Sequence, residues 1–200
     1  MKRDFQAYDY NTSYNKILPY FENDTDYRGI MLLVVGANGS GKTTYIANFL
    51  DSYELDIKYI NADMIEKEML SDIGDDNERA EKSMELTLKM LKRALKKKQS
   101  IVYESVFSHP SKLEIVKKAR DMGYKIIAIH VKTNDPEINI ERVAKRVSQG
   151  GHDVPKDKIL SRYERVQKNV KALKDIVDDF SEFDNSKELP IISINEENDA

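Results

Sequence analysis

Ile30-Met31-Leu32-Leu33-Val34-Val35 runs straight into Gly36-Ala37-Asn38-Gly39-Ser40-Gly41-Lys42-Thr43-Thr44. A continuous apolar run that ends at a glycine predicts a strand buried on both faces. Gly36 to Thr43 match G-x-x-x-x-G-K-[ST], and a helix is expected from residue 42 to about residue 53, so the motif stands in the strand–loop–helix setting that gives it meaning. The glycines let successive backbone N–H groups converge on one concavity, and the helix N-terminus adds partial positive charge, which suits phosphate. In such a loop Lys42 reaches the β- and γ-phosphate oxygens of a bound nucleotide and the Thr43 hydroxyl ligates Mg²⁺. Thr44 completes the nucleotide-binding stretch.

Outward from this loop, strands and helices alternate. Residues 57–60 predict a second strand, 64–70 a short helix broken at Gly74-Asp75-Asp76, and 77–98 a long helix with Ala80, Met84, Leu88, Leu91 and Leu95 on one face. A third strand is expected at 100–103, a helix at 111–121, a fourth strand at 124–131, and helices at 137–148 and 156–179. Phe183 and the Ile191–Ile194 run can supply a late strand. Such alternation with short connections predicts a three-layer α/β/α domain with a mostly parallel sheet of about five strands. The phosphate-loop motif makes the expected fold the P-loop NTPase/kinase fold, and the glycine-hinged segment between two arginine-bearing helices is read as a helical lid near 141–166. Residues 1–29 are Tyr-rich and polar and are read as an N-terminal extension packed on the 30–200 domain, with a short helix from Ser13 through Ile17 stopped at Pro19.

Composition narrows the function classes. The 200 residues are 34% charged with a net charge of −3, so no global positive field draws nucleic acid or anionic lipid. Cysteine is absent, which excludes a disulfide framework and a cysteine nucleophile and fits a reducing, cytoplasmic setting. No apolar run approaches a membrane span, and no signal peptide is readable after Met1-Lys2-Arg3. A basic helix end (Lys89, Lys92, Arg93, Lys96, Lys97, Lys98) reads as a solvated face. The base-reading N-K-x-D motif is missing, and the short chain favours a kinase over a motor.

Several residues qualify for the chemistry. Asp63, in Asn61-Ala62-Asp63 after the second strand, stands where a carboxylate can take the proton of an attacking hydroxyl. It equally suits the N-cap of the helix starting at Met64, and spacing alone leaves both readings open. Glu104 ends the third strand and can hold a Mg²⁺-bound water or a substrate hydroxyl, with Ser105 and Ser108 beside it. Arg142, Arg146, Arg162 and Arg165 flank Gln149-Gly150-Gly151-His152-Asp153-Val154-Pro155, a glycine-hinged segment that resembles a lid over ATP. Spacing does not choose among the four. His152 can contact phosphate, whereas His109 and His130 read as structural.

Together these residues resemble the zeta-toxin-like P-loop kinases, also grouped as predicted ABC-type ATPases. The resemblance runs from about Met31 to Asn195 and rests on Gly36–Thr44, Asn61-Ala62-Asp63, Glu104-Ser105, Arg142-Val143-Ala144-Lys145-Arg146-Val147, Gly150-Gly151-His152-Asp153-Val154-Pro155, Arg162-Tyr163-Glu164-Arg165 and Phe183-Asp184-Asn185-Ser186. It implies ATP and Mg²⁺ on Lys42 and Thr43, Asp63 as general base, Glu104 with Ser105 on a sugar-type substrate, and Arg146 and Arg162 at the transferring phosphoryl group. It also implies a small-molecule hydroxyl acceptor such as UDP-N-acetylglucosamine, and an antitoxin protein as partner; a second reading is a regulated toxin in which residues 1–29 mediate or mimic the antitoxin contact. The chain departs from founding members in carrying Met64-Ile65-Glu66-Lys67, with no Arg, shortly after Asp63. A nucleotide-binding switch with slow ATP hydrolysis is the reading from another class, and the acidic net charge disfavours a polynucleotide kinase.

Overall fold

A computed structural model describes residues 10–22, 29–53 and 57–187. In chain order these form α1 (Tyr10–Glu22), β1 (Ile30–Val35), α2 (Lys42–Tyr53), β2 (Lys58–Asn61), α3 (Ala62–Met69), α4 (Asp76–Lys97), β3 (Ile101–Ser105), α5 (Ser111–Asp121), β4 (Lys125–Lys132), α6 (Pro136–Ser148), α7 (Lys156–Lys174) and β5 (Asp179–Asp184). The five strands make one sheet in the order β2-β3-β1-β4-β5, and every pairing is parallel. The expected three-layer α/β/α architecture is present.

The alternation within β1 divides the core. Met31, Leu33 and Val35 face a layer holding Leu91 and Leu95 of α4, Val116 of α5, and Val166, Val170 and Leu173 of α7. Ile30, Leu32 and Val34 face Tyr14 and Ile17 of α1 with Tyr45, Ile46 and Phe49 of α2. A small third cluster, Val143, Val154 and Ile159, joins α6 to α7 and anchors the turn between them. Register then positions the chemistry. Asn61 pairs with Glu104 and Val35 with Ser105, so the C-terminal ends of β2, β3 and β1 lie side by side. Connections leave β1 toward one edge and β3 toward the other, and the crevice at such a reversal is where open α/β sheets bind ligands.

Three expectations are corrected. The first helix does not stop at Pro19 but runs from Tyr10 to Glu22 with Pro19 inside it. A mid-helix proline costs about 3 kcal/mol, and burying Tyr14 and Ile17 offsets it at about 1.5–3 kcal/mol per side chain. The helix expected to reach residue 179 ends at Lys174, because Asp179 and its successors pair with β4. Phe183 does lie on that late strand; Ile191–Ile194 lies outside the described residues. Finally, the buried face of α4 is Ser83, Thr87, Leu91, Ala94 and Leu95, not the stripe through Ala80 and Met84. Ser83 and Thr87 can be buried because their hydroxyls donate to Ala62 O (2.6 Å) and Ser83 O (2.7 Å). That rotation turns Ala80 and Met84 toward a cleft. Among the described residues no helix is long and apolar enough to cross a membrane.

Candidate active site

The loop between β1 and α2 folds as its glycines require. Gly39 and Gly41 have φ of +77° and +95°, a region side-chain-bearing residues seldom adopt. A Cβ on Gly39 would also meet Asn139 O at 2.4 Å, and one on Gly41 would meet Asn185 Nδ2 at 2.2 Å. Those two asparagines clamp the loop from outside. Asn139 Nδ2 donates to Asn38 O (2.6 Å), and Asn185 Nδ2 donates to Ser40 O (2.8 Å). Asn139 is itself oriented by the Thr133 hydroxyl, and Tyr163 donates to Thr133 O (2.7 Å).

Lys42 is buried and donates Nζ to Ala37 O (3.0 Å). Burial pulls its ammonium below the usual lysine range; Glu104 and Asp63 oppose that pull, while Arg146 and Arg162 add to it. Two carboxylates and two guanidinium groups therefore act on one ammonium, so the five groups form a single electrostatic unit. Thr43 Oγ1 donates to the Glu104 carboxylate, 2.9 Å from Oε1 and 3.1 Å from Oε2. Glu104 also accepts from Asn61 Nδ2 (2.8 Å) and from the Tyr59 hydroxyl. Burial, then the neighbouring Glu104, pushes that phenol far above its ordinary range, so Tyr59 stays a donor. Glu104 is a buried anion with three donors, which is how a buried charge is tolerated.

Asp63 now separates from its alternative reading. The side chain that caps α3 is Asn61, whose Oδ1 accepts from Asp63 N at 2.8 Å. Asp63 is exposed, lines the cleft, and its carboxylate has no hydrogen-bond partner among the described residues. The cleft, of about 630 Å³, is also lined by Asn38, Lys42, Glu104, Ser105, Ser108, His109, His152 and Arg162.

The four arginines part company. Arg162 enters the cleft and donates to Asn38 Oδ1 (3.1 Å). Arg146 donates Nη2 to His152 O (2.6 Å), and its buried Nε lacks a partner among the described residues. Arg142 is spent on Asn185 O (2.8 Å), where it secures the end of β5. Arg165 turns back on its own helix to Ser161 O (3.0 Å). His152 reaches the cleft rim, while His109 organises the start of α5 through Ser111 N (3.2 Å). His130 is buried inside β4, its imidazole pulled down to about 4 chiefly by burial.

Sequence reasoning assigned no role to Tyr59, Asn139 or Asn185. Each acts across 40 or more residues, and a lone Tyr or Asn carries no local signal for that. Asn61 did carry one, since Asn is as good an N-cap as Asp.

Compared with known proteins, residues 16–197 match the family described as zeta toxin. The chain belongs to the zeta toxin family. That places it among kinase-like phosphotransferases built on the phosphate loop described above. It is 28% identical over 134 residues to an uncharacterized protein of Haemophilus influenzae, covering 64% of this chain and 88% of that protein. Among solved structures, the PezAT toxin–antitoxin system of Streptococcus pneumoniae superposes with a TM-score of 0.63 at 14% identity, covering 90% of this chain and 78% of that one. The AvrRxo1-ORF1:-ORF2 complex with ATP gives 0.62 at 15% identity, covering 88% of this chain and 58% of that one. A chain of the Pnkp1/Rnl/Hen1 RNA repair complex gives 0.61 at 21% identity, covering 76% of this chain and 48% of that one. At these identities the likeness is one of fold alone.

Proposed function

We propose that this zeta toxin family member is an ATP-dependent phosphotransferase that moves the γ-phosphoryl group to a hydroxyl of a small molecule held beside Asp63. A UDP-activated amino sugar such as UDP-N-acetylglucosamine is the first acceptor to try. The observation that carries the reading is the Asp63 carboxylate, released from capping by Asn61 and open to the cleft that Lys42, Glu104 and Arg162 also line.

The step divides among this chain's own residues. Asp63 accepts the acceptor's hydroxyl proton as that oxygen bonds to the γ-phosphorus, while the bond from the γ-phosphorus to the bridging oxygen breaks and ADP leaves. Lys42 exchanges its Ala37 O partner for phosphate oxygens, and Arg162 and Arg146 offset charge spread over the equatorial oxygens. Arg146 lies outside the cleft lining and would reach those oxygens by leaving His152 O. Thr43 and Glu104 form a hard-oxygen pair that suits Mg²⁺ and would hold it directly or through water. When bound, the ion would neutralise phosphate charge. Residues 30–200 serve as the kinase domain, and the α6–α7 turn within 141–166 shields the site from water, which would otherwise consume ATP without transfer.

A protein partner belongs to the same reading, in a cytoplasmic setting. Tyr14 and Ile17 are spent in the core, so an antitoxin contact within residues 1–29 would use other side chains. Growth arrest on expression, relieved by a neighbouring gene product, tests that part. For the reaction itself, γ-labelled ATP is incubated with a panel of nucleotide sugars. Label in an acceptor supports phosphotransfer; label only in inorganic phosphate, whatever the acceptor, overturns it.

A further inference from the structure

The wall of the cleft beyond Asp63 holds a cation without an anion. Lys112, in the first turn of α5, is 8% exposed and lines the cleft. Its Nζ reaches only Met84 Sδ (3.1 Å) and the Tyr103 hydroxyl (3.4 Å), both uncharged. Among the described residues no carboxylate lies within ion-pair distance of it. The other strong cation on this wall is already engaged: Arg79 pairs with Glu66 (3.1 Å) and donates to Ile73 O (2.7 Å). A buried ammonium whose neighbours are a thioether and a phenol is expensive to maintain, and its usual remedy is an opposite charge. Here no such charge comes from the described residues.

We infer that Lys112 is the anion-binding group of an acceptor subsite, so that the acceptor is an anionic alcohol, with its hydroxyl at Asp63 and a phosphate or carboxylate at Lys112. This rests on the phosphotransferase reading and narrows its substrate class. Neutral sugars leave the Lys112 ammonium buried and unpaired. Anionic ones satisfy it, and a site that pairs a buried polar group discriminates strongly against ligands that lack the partner.

The test uses the full chain with its phosphate loop filled by a non-hydrolysable ATP analogue and Mg²⁺, and inorganic phosphate as the probe, followed by calorimetry. Saturable phosphate binding is expected, weakened at least tenfold in Lys112→Met. Met84→Glu is the second variant. It places a carboxylate beside the Lys112 Nζ from a partly exposed position, so it should abolish phosphate binding while raising the melting temperature. Sugar phosphates, sugar acids and nucleotide sugars should compete for the probe and neutral sugars should not, and the ranking of the first three tells which anion is used. Phosphate binding unchanged in both variants, or neutral sugars competing as well as their phosphates, overturns the subsite. If phosphate binds through Lys112 yet no acceptor is ever labelled, the subsite stands and the transferase reading falls. Label transferred to neutral sugars does the reverse.

Discussion

Asn61→Ala tests how the site is assembled, because one side chain does two jobs there. Its Oδ1 caps α3 through Asp63 N, and its Nδ2 supports the Glu104 carboxylate. Losing the cap costs about 1 kcal/mol. Losing a hydrogen bond to a buried carboxylate costs about 1.5–3 kcal/mol, and the lower half applies because Thr43 and Tyr59 still serve Glu104. The sum is about 3 kcal/mol, or roughly 6–12 °C in Tm for a chain of this size. Asn61→Ser keeps a capping oxygen but cannot reach Glu104, so it should recover about 1 kcal/mol of that loss and still be destabilised by the rest. Urea and thermal unfolding of both variants, followed by circular dichroism, give the two increments. Equal stability of the alanine and serine variants would refute the capping assignment. A loss in Asn61→Ala below about 0.5 kcal/mol, the scatter of ordinary surface substitutions, would refute the whole account of Glu104 support.

Three further outcomes are expected. Asp63→Asn should leave nucleotide affinity in place and change stability by less than about 1 kcal/mol, the scale of a first-turn charge on a helix dipole. Its phosphotransfer should fall by about 10²–10⁴, and single-turnover transfer from labelled ATP at the wild-type rate would rule out the base assignment. Arg162→Ala should slow transfer at least tenfold, at least about 1.4 kcal/mol of transition-state stabilisation, whereas Arg165→Ala should stay near wild type because its guanidinium faces Ser161; equal losses would contradict the geometry. His130 supplies the pH dependence. Its folded value, about 4, lies below the ordinary 6.5, so the unfolded chain binds the extra proton between the two. Stability should be full above about pH 6.5 and fall as the pH drops toward 4, by up to about 3 kcal/mol. Glu182, at 3.8 Å, is held down to about 2 by its Lys132 and Lys174 partners and titrates below that window. Urea midpoints from pH 7 to 4.5 should flatten in His130→Gln, and an unchanged slope would show that another group controls it.

Much of the fold was legible because its signals are local. An apolar run, a glycine loop and a helix sit contiguously between residues 30 and 53, and alternating strands and helices leave one economical packing. The misreadings share a cause. Pro19 and the α4 stripe were read from propensity and periodicity, and tertiary burial of Tyr14, Ile17, Ser83 and Thr87 outweighed both. Only Asp63 was read as a capping residue, and it took the direction of a single N–H to move the cap to Asn61.

By itself, the order of residues determined that a phosphate-binding loop would form and which lysine and threonine it would present, since those groups are bonded neighbours whose geometry follows from glycine's backbone freedom. Tertiary structure alone decided which arginines enter the cleft, that Glu104 is held by Tyr59 and Asn61, and that Lys112 is buried with no counter-charge among the described residues. The reason is one of range. Charge pairing and desolvation depend on distances through space between residues far apart along the chain, and the sheet register that brings Asn61 opposite Glu104 is set by packing the whole domain.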